Sequence, residues 1–361
     1  MSALDSNVSS AIWKDSEMLE CVSVVPEVPD TASFSFRALS GALFSYEPGQ
    51  FLTLEIPAPG QPGGVVHRTY TISSSPSRPR SITITAKAQA DSIGTRWMLD
   101  NLQPGMRMKA IGPAGLFTNA GSSAKKYLFI SAGSGITPMM SMTTCMWDEG
   151  RDLDIVFINC AKRPSEIIFR QRLEHMASRT PGLDLKFVVE QPDLYRPWTG
   201  YQGQFNQLML GLMAPDYLDR EVYCCGPEPF MQAVREALAG LGFDMEQYNQ
   251  ESFGAPVEKE SEQPPLDDVV PDDDAKAEVV FASSGVTVKV AETETILAAA
   301  RSSGLNIPSG CTFGVCGTCK VKKTKGEVHM VHNGGITEDD IEAGYILACC
   351  SNPIGNVEVE V

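Results

Sequence analysis

Four cysteines near the carboxy terminus constrain this chain more than any other feature: Cys311-x4-Cys316-x2-Cys319-x29-Cys349. Four thiolates at a C-x4-C-x2-C…C spacing are the ligand set of a plant-type [2Fe–2S] cluster. Three ligands on one loop must wrap the cluster while backbone N–H groups point at its sulfurs. Gly310, Gly314 and Gly317 supply the conformational freedom for that. The alternatives are a zinc site or buried free thiols. Structural zinc shows paired C-x2–4-C or C…H-x3–5-H ligands, and His329-x2-His332 is a poor fit. Cys350 adjoins Cys349, but the 29-residue gap and the Leu347-Ala-Cys context favour Cys349 as the fourth ligand.

The remaining cysteines do not suggest a secreted disulfide framework, which belongs to short chains behind a signal peptide. This chain has 361 residues, and its first twenty (MSALDSNVSSAIWKDSEMLE) show neither a basic n-region nor an apolar h-region. No apolar run approaches the ~18–20 residues of a membrane span. A cytoplasmic protein is expected. The net charge of −16 argues against nucleic acid or an anionic membrane as partner, since both select for basic patches.

The length fits two or three domains at ~100–200 residues each. Residues 18–120 read as strands and turns: alternation over Phe34–Arg37, Gln50–Ile56 and Ser81–Lys87, with Pro/Gly clusters between, suggests an antiparallel barrel or sandwich. One helix, Thr95–Leu102, interrupts it. From about 124 short apolar runs alternate with helical patterns. Tyr127–Ile130, Asp154–Ile158, Leu185–Val189 and Glu221–Cys225 read as strands. Pro138–Trp147, Ser165–Ala177, Gln204–Leu212 and Pro229–Ala239 read as helices. This is a parallel α/β sheet with helices on both faces. The methionines at 139, 140, 142 and 146 are expected in its core. Residues 255–277 hold 8 acidic and 2 basic residues, four prolines and no aromatic, so they are expected to form an extended, self-repelling linker. Beyond it come strands at Ala277–Phe281, Val286–Val290 and Val357–Val361 and one helix, Thr295–Ser303. The expected domains are 1–120, 121–254 and 278–361, with the linker at 255–277.

Three further motifs carry chemistry. His67-Arg68-Thr69-Tyr70-Thr71-Ile72-Ser73-Ser74 ends a barrel-like strand. Arg68 offers a cation for a phosphate, Tyr70 an aromatic face and Thr71 a hydroxyl, expected at alternating positions on one strand face; together they suit a flavin. Ser92-Ile-Gly-Thr95 opens the following helix, with Thr95 as expected N-cap and the helix N-terminus as pyrophosphate site. Ser131-Ala-Gly133-Ser-Gly135-Ile-Thr137-Pro138 follows the first α/β strand. Its two glycines let the backbone approach a pyrophosphate, Thr137 is expected to N-cap the helix, and the third glycine of the G-x-G-x-x-G fingerprint is absent. Tyr223-Cys224-Cys225-Gly226-Pro227 closes a late strand, where Cys225 can border a nicotinamide and Cys224 reads as a buried thiol. Glu251-Ser252-Phe253-Gly254 ends the α/β region, and Phe253 can cover a flavin.

Together these residues resemble the ferredoxin–NADP reductase superfamily, in its phthalate dioxygenase reductase type. The resemblance is closest to reductase subunits of oxygenases acting on glycine betaine, carnitine or proline betaine. It is carried also by Ser73–Pro76, Glu174–Arg179, Leu212–Asp216, Glu251–Ala255 and His332–Thr337. It implies a flavin β-barrel, a nicotinamide-cofactor α/β domain and a carboxy-terminal β-grasp ferredoxin domain. Arg68, Thr69, Tyr70, Thr71 and Thr95 then match the flavin site, with Ser92 where the family often has glycine. Gly133, Gly135 and Thr137 match the phosphate loop. Cys225, Gly226 and Pro227 match the nicotinamide side, and Phe253 lies over the flavin. The resemblance favours FAD over FMN and NADH over NADPH. Lys162-Arg163, after the second α/β strand, can meet a 2′-phosphate or stand in solvent.

NADH gives up two electrons together, the cluster takes one at a time, and a flavin mediates between them. The expected path is NADH to FAD to [2Fe–2S] to an external acceptor, with Thr71, Cys225 and Phe253 around the transferred hydride. The leading acceptor is a Rieske-type oxygenase that N-demethylates a quaternary amine. The alternatives are a hybrid-cluster protein or another redox enzyme, or a sensor module without turnover.

Overall fold

The computed structural model describes residues 11–61, 64–89, 92–194, 197–253, 276–310, 314, 316–332 and 335–361. Its strands begin with β1 (Leu19–Val28), β2 (Thr31–Ala38), β3 (Phe51–Pro57), β4 (Val65–Thr71) and β5 (Ile82–Lys87). Helix α1 (Ile93–Asn101) and β6 (Arg107–Ala114) follow. The six strands form one sheet in the order β4-β3-β6-β1-β2-β5. Just past β4, Ile72 bridges Ile84 of β5, and the Ser73 N–H donates to the Thr83 carbonyl at 2.8 Å. The edge strands therefore meet, which makes the sheet a barrel and removes its free edges.

The pattern then becomes α/β. In order come β7 (Tyr127–Ala132), α2 (Ile136–Asp148), β8 (Ile155–Ala161), α3 (Arg170–Arg179) and β9 (Leu183–Val189). They are followed by β10 (Tyr201–Gln202), α4 (Gln207–Met213), β11 (Glu221–Cys225), α5 (Glu228–Gly240) and β12 (Tyr248–Glu251). The sheet order is β10-β9-β8-β7-β11-β12, parallel throughout. Strand alternation sorts its side chains into two cores. Phe129, Phe157, Tyr223 and Cys225 face one, with the α2 residues Met139, Met140, Met142 and Met146. Leu128, Ile130, Val156, Val222 and Cys224 face the other, with Leu210 of α4 and Val234 of α5. Each fully buried large side chain contributes roughly 1.5–3 kcal/mol.

The expected helix over 165–177 is broken. A 3-10 turn covers Pro164–Glu166, Phe169 is left-handed at φ 57°, and α3 starts at Arg170. Ile167, Ile168 and Phe169 are all buried. Left-handed backbone at Phe169 cannot lie inside a right-handed helix, so the chain leaves the helical path there.

From residue 276 a third sheet forms from β13 (Lys276–Phe281), β14 (Val286–Ala291), β15 (Lys320–Met330), β16 (Tyr345–Leu347) and β17 (Ser351–Val359). Helices α6 (Ile296–Ser302) and α7 (Glu338–Glu342) complete this part. The order is β14-β13-β17-β15-β16, with β13 parallel to β17 and the other pairs antiparallel. Ile296, Leu297, Ala299 and Ala300 of α6 pack on it, a β-grasp arrangement, and Thr295 caps α6 by accepting from the Ala298 N–H. The expected linker lies outside the described residues as far as 275, and Lys276 and Ala277 already belong to β13.

The chain forms two compact units. Met1–Leu52, Tyr70–Pro113 and Phe117–Phe253 make the first; Thr53–Thr69, Ala114–Leu116 and Gly254–Val361 make the second.

Arg220, 6% exposed, ties the start of β11 to the α/β sheet. Its guanidinium binds Asp216 through Nε at 2.7 Å and Nη2 at 2.9 Å, Asp154 at 2.8 Å, and the Tyr127 carbonyl at 3.2 Å. Asp216 is thereby held down to about 2, chiefly by its hydrogen bond from Arg220. That stabilisation is complete above the unfolded carboxylate range, near pH 4, and is lost as pH falls through the native value. Arg220→Met should destabilise the protein by about 2–4 kcal/mol in urea melts near pH 7, because its acceptors are left without a buried partner. A loss below about 0.5 kcal/mol contradicts this account.

Candidate functional site

In the first unit the site forms where β7 and β11 lie side by side. Strands β8 to β10 extend one way from this pair and β12 the other, so their carboxyl ends flank a topological switch point, where α/β sheets bind ligands. A 3-10 turn over Gly133–Gly135 links β7 to α2. A Cβ on Gly135 would collide with the Cys225 carbonyl, so only glycine permits this approach. Gly226 in turn abuts Ala132. The loop after β7 and the end of β11 are thus one surface, with Pro227 leading directly into α5. Thr137 is near this surface but does not cap. The helix begins at Ile136, and the Thr137 hydroxyl donates to the Ser134 carbonyl at 3.0 Å.

Three further side chains of this unit converge. β11 and β12 pair in parallel with Cys225 opposite Glu251. The Thr71 hydroxyl donates to Glu251 Oε2 at 3.4 Å. Burial pushes the Glu251 carboxyl up to about 8, with the Thr71 hydrogen bond opposing. Burial also pushes the Cys225 thiol well above its usual range, and the nearby Glu251 charge adds to this. Phe253, two residues beyond Glu251, is 46% exposed.

Tyr70 takes a different partner. Its hydroxyl lies 2.9 Å from Thr95 Oγ1. Thr95 is the third residue of α1 rather than its cap: the helix starts at Ile93 after Ser92, whose hydroxyl donates to the Gln89 carbonyl at 3.0 Å. The expected single face for Arg68, Tyr70 and Thr71 is also corrected. With a two-residue period, position 68 shares a face with 70, and position 69 with 71. That parity is why Thr71 meets Glu251 while Tyr70 meets Thr95.

In the second unit Arg68 is exposed, its Nη1 donating to the His67 carbonyl at 2.7 Å, and Thr69 Oγ1 lies 3.2 Å from Thr53 Oγ1. Cys316, Cys319 and Cys349 are buried. A hydrogen bond with Cys349 holds the Cys319 thiol below its ordinary range, and Cys316 is close enough to oppose this by its charge. Ala348 N–H donates to the Cys319 carbonyl at 3.0 Å, fastening the two segments that carry these thiols. Gly314 and Gly317 both have φ near 70°, at 76° and 68°, as a tight wrapping loop requires. Cys350 is half-buried and donates weakly to the Leu347 carbonyl at 3.7 Å. Cys311 lies outside the described residues, and among those described no three His, Cys, Asp or Glu side chains converge on a single ion. Two of these buried thiols, Cys319 and Cys349, are in hydrogen-bond contact, with Cys316 near enough to act on Cys319 by its charge, which fits part of a four-thiolate set. Two separate groupings, Tyr70 with Thr95 and Thr71 with Glu251, offer hydrogen-bond donors and acceptors that suit a flavin.

Glu251 is the residue that sequence reasoning misses. It stands in the Glu251–Gly254 motif, where only Phe253 is given a role, because the four-residue strand β12 is not evident from the sequence pattern. The short run Tyr248–Glu251 after α5 is the signal that was available.

Comparisons with known proteins agree with this arrangement. Family models match residues 21–119 as an oxidoreductase FAD-binding domain, 129–236 as an oxidoreductase NAD-binding domain and 279–353 as a 2Fe-2S iron-sulfur cluster binding domain. The stachydrine N-demethylase reductase subunit of Rhizobium meliloti is 65% identical over 97% of this chain and 98% of its own length. The glycine betaine monooxygenase reductase subunit of Pseudomonas aeruginosa is 44% identical over 98% of each. Phthalate dioxygenase reductase shares the fold, with a TM-score of 0.59 and 22% identity over 95% of this chain and 97% of its own.

The raised Glu251 value carries a testable sign. The native state holds a proton that the unfolded chain releases near pH 4.5, so Glu251 favours folding at low pH and loses that advantage as pH rises through about 8. In flavin-free protein, Glu251→Gln should flatten the fall of Tm between about pH 5 and 8. Each tenfold difference in proton affinity between the folded and unfolded chain is worth roughly 1.4 kcal/mol of that slope's total. Parallel Tm–pH curves for the two proteins would exclude this coupling. The chain belongs to the family of FAD- and NAD-binding reductases with a carboxy-terminal 2Fe-2S domain, represented by the reductase subunits of multicomponent monooxygenases.

Proposed function

We propose that this protein is the NADH-dependent reductase of a Rieske-type oxygenase that N-demethylates a quaternary amine such as stachydrine or glycine betaine. The observation that carries the reading is near-full-length similarity to two reductase subunits whose names state those substrates. The flavin that this chain's residues would hold would supply the link between a two-electron hydride donor and a one-electron cluster.

The chain's own residues position and enclose. We assign Tyr70 and Thr95 to one end of the flavin site as a paired hydroxyl anchor, and Arg68 and Thr69 to the same strand as cation and hydroxyl. Thr71 and Glu251 hold a donor and a carboxyl at the reacting end. Gly133, Gly135 and Thr137 cradle the dinucleotide phosphates at the α2 terminus. Cys225, Gly226 and Pro227 border the nicotinamide, Cys225 as a neutral, small side chain. Phe253, exposed at the chain's exit from β12, is the ring available to cover the flavin. Cys311, Cys316, Cys319 and Cys349 hold the cluster. The domain limits are 1–120, 121–254 and a third domain that begins at β13 with Lys276 rather than at 278, after the acidic segment that starts at 255. Among the described residues no helix is long and apolar enough to cross a membrane.

NADH as donor is supported at the ends of β8 and β9. There a cavity of about 300 Å³ is lined by Pro164, Ser165, Arg170, Asp193, Pro197 and Trp198. Asp193 accepts from the Ser165 N–H at 3.1 Å and its hydroxyl at 2.8 Å, and a carboxylate in this cavity favours a free ribose hydroxyl over a 2′-phosphate if the adenosine end binds here, with Arg170 in the same lining as the opposing charge. Arg163 Nη2 donates to Gln191 Oε1 at 3.4 Å.

Stopped-flow reduction should give a higher kcat/KM for NADH than for NADPH, and Asp193→Asn should raise the NADPH value by about tenfold, the equivalent of ~1.4 kcal/mol. Equal values for both coenzymes would count against the coenzyme assignment. For the acceptor, the purified protein should sustain NADH-dependent formaldehyde release when combined with a Rieske oxygenase and its quaternary amine. Failure with each betaine oxygenase tried, alongside rapid ferricyanide reduction, would reject the partner while leaving the reductase intact.

A further inference from the structure

Within the second unit, Thr318 sits between two acceptors. Its Oγ1 is 3.0 Å from Cys316 Sγ and 3.4 Å from Thr53 Oγ1 on β3. A hydroxyl has one hydrogen to give, so it serves one acceptor fully at a time. Thr53 is 1% exposed, with Thr69 Oγ1 of β4 as its other hydroxyl neighbour at 3.2 Å. The cysteine loop and the β3–β4 hairpin touch at a second point. A Cβ on Gly310 would fall 2.9 Å from Thr69 Oγ1, 3.1 Å from the Thr53 methyl and 3.1 Å from Cys316 Sγ. Gly310 and Thr318 are therefore packed directly against Thr53 and Thr69, with the Thr318 hydroxyl between Thr53 and Cys316.

We propose that Thr318 is a positioning residue whose hydroxyl proton is contested by Cys316 and Thr53, so that the ease of reducing the cluster and the seating of its loop on the β3–β4 hairpin are coupled. This rests on reading the cysteine loop as a cluster loop. A hydrogen bond to a ligand sulfur stabilises the more negative, reduced state and raises the potential. Thr53 draws the same proton away and lowers it. Coupling is reciprocal. Negative charge arriving on Cys316 recruits the proton, and Thr53 loses it. The loop then sits less firmly on the hairpin after reduction than before.

The test uses the full-length holoprotein and three variants: Thr318→Val, Thr53→Val and Thr53→Ser. Iron, acid-labile sulfide and the visible spectrum first establish that the cluster is in place. The midpoint potential is then read by dye-mediated titration with EPR detection. Thr318→Val should shift the cluster's reduction equilibrium about tenfold toward the oxidised state, ~59 mV for one electron. Thr53→Val should shift it in the opposite direction, and Thr53→Ser should return it to the wild-type value. Hydrogen exchange over residues 53–69 should quicken on reduction in the wild type and not in Thr318→Val. Two valine variants with intact clusters and shifts of the same sign, or none, overturn the inference alone. A wild-type chain that holds no iron overturns it together with the cluster reading.

Discussion

The first unit depends on a single close approach: the backbone at Gly135 against the carbonyl of Cys225. It is possible because β7 and β11, far apart in sequence, are adjacent in the sheet with Ser131 opposite Cys225. The chain reaches β11 only after β8, β9 and β10 have been laid down on the other side of β7. Two strand ends therefore point into one crevice with no strand between them. The turn that starts α2 occupies that crevice, and a side chain at Gly135 would force the two ends apart. Everything assigned to the dinucleotide is downstream of that contact. It delivers backbone N–H groups, a helix start and the Cys225–Pro227 segment to one place without a charged side chain.

Strand parity then decides what else arrives. Cys224 and Cys225 are neighbours in sequence but enter opposite cores, since successive strand residues face opposite ways. The same rule separates Tyr70 from Thr71. It also brings Glu251, on the strand beyond β11, level with Cys225. A half-buried carboxyl placed there loses enough water to be pushed toward its protonated form. It can act as a hydrogen-bonded partner of Thr71 without holding a full negative charge.

Much of this is legible in the sequence. Alternating and helical periods give the order of barrel, parallel sheet and third sheet, because burial imposes those periods on each element separately. The methionines of α2 fall in the core for the same reason. What the sequence pattern misplaces is local. Thr95 and Thr137 read as caps because threonine before an apolar run is a capping signal. In the structure their helices start at Ile93 and Ile136, and each hydroxyl serves another partner. The helix over 165–177 breaks at Phe169, whose left-handed backbone ends one turn and starts α3 afresh at Arg170, and nothing in the residue pattern signals a positive φ there. Strand β12 is four residues long, too short for a period to show, and Glu251 is hidden with it. The contact of Thr318 with Thr53 joins positions hundreds of residues apart in the chain, and spacing within one motif carries no information about it.

The cysteines show why residue type alone cannot sort them. All ten are the same chemical group, yet their environments push them in opposite directions. Cys160, Cys224 and Cys225 have thiol values raised chiefly by burial, so none is a ready nucleophile or ligand at neutral pH. Cys319 is lowered by its hydrogen bond with Cys349, and only a deprotonated thiol binds iron. Hydride transfer to a flavin needs no acid, base or nucleophile from the protein, so an inert thiol at Cys225 is compatible with the nicotinamide contact proposed for it. A cluster needs thiolates, and the thiol biased toward that form lies in the loop whose spacing announced it.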